Sequence, residues 1–239
     1  MTAVSAPAAF GRPEAFRARL TALAVLLVLL ALPLALAARG PSVLPADVAM
    51  ARAVQAPGWP WLDPLAWAMT EIGRSWPGET VLATLFVLLL AARGRRREAL
   101  FVALAAVAGS LNVLTKLIVA SPRPTPDLVR VTEAAHGYGF PSGHAFGAAL
   151  FYGALAIVMP ALVPNRVWVG ILRAGCVLVV ALIGLSRIRL GAHWPSDVLG
   201  GLLLGAAVLA LLVAWLPVAL EAIRGGRRAG ASAPDAPSG

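Results

Sequence analysis

The chain of 239 residues is 59% hydrophobic and only 13% charged, with a mean hydropathy of +0.82. Soluble domains carry roughly 25% charged and roughly 45–50% apolar residues, so an ordinary soluble globule cannot hide this excess, and disorder is excluded except at the ends. The net charge of +9, from 20 Lys+Arg against 11 Asp+Glu, would point a soluble protein towards nucleic acid, whereas in a membrane protein it has a topological origin.

A helix crossing the bilayer needs about 20 mostly apolar residues. Residues 1–19 read as a cytoplasmic segment before a first span, Leu20–Ala38. That apolar run exceeds the roughly 7–15 residues of a signal-peptide core, so a retained anchor is expected. The connection Arg39–Gly78 holds Trp59, Trp61, Trp67 and Trp76 with an apolar stretch around Pro64–Ile72, which predicts a short interfacial helix anchored by aromatics among the headgroups. Thr80–Ala92 is short for a span and reaches a marginal length if its helix begins near Trp76 or Pro77. Ala99–Ala120, Ala145–Val163, Val167–Leu185 and Val198–Leu220 complete a set of six. Residues 221–239 read as a cytoplasmic tail, Gly/Ala/Ser/Pro-rich and disordered from Gly225. The lone cysteine, Cys176, excludes an intrachain disulfide. The expected fold is an all-α, polytopic membrane protein with one six-helix domain over residues 20–220.

Six spans place both termini on one side, and basic residues mark the cytoplasmic one. Arg12, Arg17, Arg19, Arg93, Arg95, Arg96, Arg97, Arg166, Arg173, Arg224, Arg227 and Arg228 fall on the side of the termini, outnumbering the basic residues opposite. Both termini are therefore expected in the cytoplasm of a cell membrane, and the basic excess needs no nucleic acid.

Polar residues at membrane depth or at its edge carry the functional information. Three clusters stand out: Lys116 to Arg123-Pro124, then Pro141-Ser142-Gly143-His144, then Ser186-Arg187 to His193 and Asp197. The first closes the third span, the second opens the fourth, and the last joins the fifth to the sixth. By span parity all three meet at the outer face. Lys116, one turn inside its helix, costs about 2–3 kcal/mol if unpaired, which an anion would offset. Arg123 and Arg187 offer planar forks for phosphate oxygens. Ser142 reads as a helix cap and Gly143 as a close backbone approach, and a helix start attracts anions. His144 in that first turn could donate a proton. Asp197, four residues after His193, could accept from Nδ1–H and free Nε2 for attack. Arg189 is read as a lipid-headgroup contact or an addition to the positive field, Trp194 as an interface anchor, His136 as a loop residue and Ser196 as a cap for the last helix.

Lys116-x6-Arg123-Pro124, Pro141-Ser142-Gly143-His144 and Ser186-Arg187-x5-His193-x3-Asp197 together resemble the type 2 phosphatidic acid phosphatase family, related to the vanadium haloperoxidases and glucose-6-phosphatase. The resemblance implies a helical bundle and a metal-independent phosphatase working through a phosphohistidine. It makes His193 the nucleophile, Asp197 its orienting partner and His144 the general acid, with Lys116, Arg123, Ser142, Gly143 and Arg187 holding the phosphoryl oxygens. Relatives often carry another basic residue just before the Arg-Pro; here Ser121 and Pro122 stand there, and Arg189 is the residue that could compensate. The implied substrate is a membrane lipid phosphate hydrolysed at the outer face, undecaprenyl diphosphate first, with phosphatidylglycerophosphate, phosphatidic acid or a lipid A phosphate as alternatives. No metal or other cofactor is expected, since histidines and cysteine are few and no carboxylate cluster adjoins the motifs. A lipid or anion transporter would set its charges nearer the bilayer midplane.

Overall fold

The computed structural model describes residues 14–40, 43–73 and 79–231, and among these every regular element is helical. The helices are α1 (Glu14–Ala38), α2 (Pro45–Gln55), α3 (Leu62–Ile72), α4 (Thr80–Ala92), α5 (Arg96–Ala108), α6 (Asn112–Val119), α7 (Gly143–Leu162), α8 (Arg166–Arg189) and α9 (Pro195–Ala231). A short 3₁₀ turn, Gly109–Leu111, joins α5 to α6, so Arg96–Val119 acts as one rod. Five helical stretches are long and apolar enough to cross a membrane: α1, α5 with α6, α7, α8, and α9 through Glu221.

The thirteen residues of α4 reach only about 20 Å, short of a hydrocarbon core of about 30 Å. Trp76 and Pro77, which would lengthen it, lie outside the described residues, as do Arg12 and residues 232–239. Meanwhile α3 lies along the C-terminal part of α8: Asp63 meets Arg189, Thr70 meets Ser186 and Arg187, and Gly73 packs on Ile183. That contact order carries α3 down beside the bundle towards α4. The loop before α4 is thus packed protein, not merely a headgroup anchor, although Trp59, Trp61 and Trp67 do remain exposed. A second helix, α2, precedes it and was not legible as an element. Its polar content (Asp47, Arg52 and Gln55) hid it from an apolar-span count, while Pro45 supplies a suitable first-turn residue.

Burial ranks the spans. In α7, 61% of the apolar window is buried within the protein, against 11% for α1 and 17% for α8. Helices α5, α8 and α9 pack on α7, while α1 packs on α9 and α4 on α5; Leu29, Leu85, Val107, Ile118 and Val177 turn outwards, the pattern of a lipid-facing surface. Phe101, Leu150, Phe151 and Ile183 fill the interior. Between α7 and α9 the glycines of a small-x3-small stripe set the distance. A Cβ on Gly201 would stand 2.6 Å from the Ser142 carbonyl, and one on Gly205 2.6 Å from that of Phe146. Glu79, buried ahead of α4, lies against Gly147, where a Cβ would stand 2.8 Å from its carboxylate.

Two boundaries differ from the sequence reading. Helix α8 runs four residues past Leu185, so Ser186, Arg187 and Arg189 sit in its last turn instead of in a loop. Helix α9 stays helical to Ala231, beyond Gly225, where composition predicts loss of order.

Candidate active site

The site lies where α6 ends, α7 and α9 begin and α8 ends. Helix α6 stops because Ala120 adopts a left-handed conformation (φ 52°, ψ 40°) whose N–H bonds the Lys116 carbonyl. Ser121 then ties down the approach to α7. Its Oγ accepts from the Phe140 amide at 2.6 Å, and its carbonyl accepts from Gly139 at 3.0 Å. At the start of α7, Ser142 caps the helix, its Oγ 3.5 Å from the Ala145 amide. Its own N–H donates to the Asp197 carbonyl at 2.9 Å, which fastens this motif to the first turn of α9. Gly143 leaves room for Asn112, whose Nδ2 a Cβ there would meet at 2.6 Å. His144 follows, half-buried in the same turn.

Between α8 and α9, Gly191 turns the chain at φ +69°, pressed so closely on the Arg130 carbonyl that no side chain fits. The amides of Ala192 and His193 both donate to the Arg187 carbonyl, at 3.0 and 3.2 Å. The turn thereby fixes the imidazole. His193 is 3% exposed; its Nδ1 lies 3.2 Å from Asp197 Oδ2, and its Nε2 lies 3.2 Å from Arg123 Nη1. A guanidinium can only donate, so Nε2 accepts, and Nδ1 carries the hydrogen donated to Asp197. That carboxylate, fully buried, also takes the Trp194 amide at 3.1 Å. Burial first, then the charges of Arg123, Lys116 and Arg187, hold the His193 pKa well below 6.5. The ring is therefore neutral, with its lone pair on the cationic side.

Each cation has definite partners. Lys116 donates to the carbonyls of Tyr138 (2.7 Å) and Gly139 (2.9 Å). Arg123 spreads over those of His136, Gly137 and Ala192 as well as the imidazole. Arg187, 1% exposed, pairs through both Nη atoms with Glu133, at 2.7 and 3.0 Å, and donates to Thr70 Oγ1 at 2.9 Å. Lys116, Arg123, Ser142, Arg187, His193 and Asp197 thus converge. A surface groove of about 580 Å³ lined by Arg39, Ser121, Arg123 and Tyr138 borders them at Arg123. Among the described residues, no three His, Cys, Asp or Glu side chains converge as a metal-ligand set.

Three readings are corrected. Arg189 neither reaches lipid nor replaces a missing phosphate ligand; buried, it donates to Asp63 at 2.7 Å and to the Val54 and Pro57 carbonyls at 3.0 Å. Trp194 is 4% exposed and packs among Ala51, Val129, Ile188 and Val198, too deep to anchor at an interface. Ser196 is itself bound by Asp47 of α2, whose carboxylate takes the Ser196 amide at 2.8 Å and hydroxyl at 2.6 Å. Glu133, Thr70, Asp63 and Asp47 escaped the sequence reading because each meets its partner across 54 to 149 residues. No local signal singled out Glu133, since the same connection also holds Asp127 beside Arg123 and Arg130.

Helical rods with a histidine–carboxylate pair and a cationic rim at one end define a class of membrane phosphoryl-transfer proteins. The chain belongs to the PAP2 superfamily, whose model matches residues 97–220. Phosphatidylglycerophosphatase B of Bacillus subtilis (strain 168) is 32% identical over 196 residues, 79% of this chain and 92% of that protein. Decaprenylphosphoryl-5-phosphoribose phosphatase of Mycobacterium tuberculosis (strain ATCC 25618 / H37Rv) is 34% identical over 168 residues, 66% of this chain and 81% of that one. The crystal structure of a transmembrane PAP2-type phosphatidylglycerolphosphate phosphatase from Bacillus subtilis is similar at a TM-score of 0.67 and 28% identity. That likeness covers 84% of this chain and 96% of the other.

Proposed function

We propose that this integral membrane protein is a metal-independent lipid phosphatase that works through a phosphohistidine at the outer face of the cell membrane. The observation that carries the reading is the neutral, oriented imidazole of His193, with Nδ1–H on Asp197 and Nε2 directed at Arg123. In this mechanism Nε2 attacks phosphorus in line, the bond from phosphorus to the leaving oxygen breaks, and His144 gives that oxygen its proton. A water molecule then attacks the phosphohistidine and loses a proton to His144, the P–N bond breaks, and phosphate leaves. Lys116, Arg123 and Arg187 compensate the charge on the equatorial oxygens, assisted by Ser142 and Gly143 at the start of α7. Two easier steps replace one of the slowest uncatalysed hydrolyses.

The outward orientation rests on charge. Arg93, Arg95, Arg96, Arg97 and Arg166 cap the end of the bundle opposite the site, as expected of the cytoplasmic side. Undecaprenyl diphosphate is the leading lipid, and the Mycobacterium relative's name also specifies a polyprenyl phosphate. A second reading, a phosphatidylglycerophosphate phosphatase, is favoured by the relative matched over 92% of its length. Phosphate release from undecaprenyl diphosphate, phosphatidylglycerophosphate, phosphatidic acid and a lipid A phosphate, by purified protein in detergent and EDTA, separates these and distinguishes hydrolysis from transport. His193→Ala is expected to lower turnover by more than about 10⁴-fold, and vanadate to inhibit the wild type. Normal turnover by His193→Ala would refute the reading.

A further inference from the structure

At the end of the bundle opposite the site, a proline in α7 sets the position of an arginine in α8. Pro160 lies inside α7 and has no N–H, so the Ala156 carbonyl, four residues earlier, loses its helical partner. Arg173 supplies another: its Nε donates to that carbonyl at 2.9 Å. Trp168, 58% exposed, marks the membrane interface at this end. Arg173 stands five residues further along α8, about 7 Å deeper. Ala156 lies six residues before the end of α7, at a similar depth. The guanidinium is thus held at its own level, whereas a lone snorkelling arginine reaches along its helix to water.

A backbone carbonyl satisfies one donor and cancels no charge. Among the described residues, neither Nη group of Arg173 has a hydrogen-bond or acidic partner, and the Arg166 guanidinium has none either. No Asp or Glu occurs between Ala156 and Arg173. Arg166, Gly170 and Arg173, at i, i+4 and i+7, share one exposed face of α8. A Cβ on Gly170 would meet nothing within 4 Å, so the surface is notched between the two arginines. Pro160 and Val163 line the facing wall of a groove of about 410 Å³. An exposed guanidinium at this depth is costly unless it meets an anion. In a bilayer the anion at that level is a lipid phosphate, and basic pockets between spans bind headgroups in this way. A zwitterionic headgroup brings an ammonium of its own into a pocket that already holds two cations; a net-anionic one does not.

We propose that the notch between the end of α7 and the start of α8 binds the phosphate of an anionic phospholipid in the leaflet opposite the active site, between Arg166 and Arg173 and over Gly170. The lipid is a ligand here and not a substrate, since the reacting histidine lies at the other end of the bundle.

The test titrates the full-length, detergent-solubilised protein with phosphatidylserine and with phosphatidylcholine. Native mass spectrometry counts bound lipid, and the thermal midpoint of each variant is compared with its own value without lipid, so that lost stability is not mistaken for lost binding. Wild type should favour phosphatidylserine by at least about tenfold. Arg166→Gln and Arg173→Gln should each cut that preference by about fivefold. Gly170→Leu, which keeps both charges and fills the notch, should cut it as far. Arg97→Gln, in the first turn of α5 at the same end, should leave it intact. An unchanged preference in Gly170→Leu, or in the double variant Arg166→Gln with Arg173→Gln, overturns the proposal. So does an equal loss in Arg97→Gln, the result expected of diffuse surface charge. Inorganic phosphate that protects as well as the lipid would overturn it too, by showing a site for free anions.

Discussion

At the scale of single residues, the proposed chemistry turns on which nitrogen of His193 carries the hydrogen. Arg123 dictates the answer, since a donor facing Nε2 forces the proton to Nδ1, where Asp197 receives it. In the proposed mechanism attack requires the neutral ring. Because burial and the neighbouring cations lower the His193 pKa, the ring stays neutral as pH falls through 6.5 and protonates only below it. The acid limb of kcat/KM, which reports the free enzyme, is therefore expected below pH 6.5. A limb at or above that value would show the ring to be solvated or charged. The bonding of His193, Asp197 and Arg123 was legible because motif spacing and span parity bring these residues together without tertiary knowledge. Glu133 was not, for its pairing depends on how the 121–141 connection folds back over the end of α8.

Whole elements are fastened across the site end of the bundle by side chains gripping distant backbone. The Gln55 amide bonds the Arg130 peptide from both sides and also reaches the Ile188 and Arg189 carbonyls, while Arg52 donates to Leu128. Asp47 plays a similar part, meeting the first turn of α9 from a different helix, 149 residues away. A carboxylate at a helix start satisfies otherwise orphaned amides. Asp47→Ala is expected to cost about 1 kcal/mol or somewhat more, read as a lower thermal midpoint with reduced activity. Asp47→Asn, which still accepts from the Ser196 amide, should recover much of that stability. The apolar spans could be read from hydropathy, since each is a long run with one dominant requirement. Helix α2 and the true end of α8 could not, because polar residues there are satisfied by tertiary partners that no local pattern discloses.

For the whole molecule, the distribution of arginine sets a testable orientation. In a Cys176→Ala background, Asp127→Cys at the site end should react with a membrane-impermeant maleimide added to intact cells. Arg97→Cys, at the α4–α5 turn, should react only after permeabilisation. The reverse pattern would place the site on the cytoplasmic side. The five long apolar helices of a membrane protein were legible from composition, and Thr80–Ala92, read as a marginal sixth span, is a helix of only thirteen residues. The sinking of α3 alongside α8 was not, because the aromatics of that loop look the same whether they float at the headgroups or crown a packed helix.

Thr70, Asp63 and Asp47 all precede residue 97, where the stretch common to the superfamily begins. Yet they brace Arg187, Arg189 and the opening of α9. The matched stretch thus holds all three motifs, and the residues ahead of it supply the side chains that keep the motif ends aligned. Exchanging that leading part between relatives would tune reactivity without altering a single motif residue.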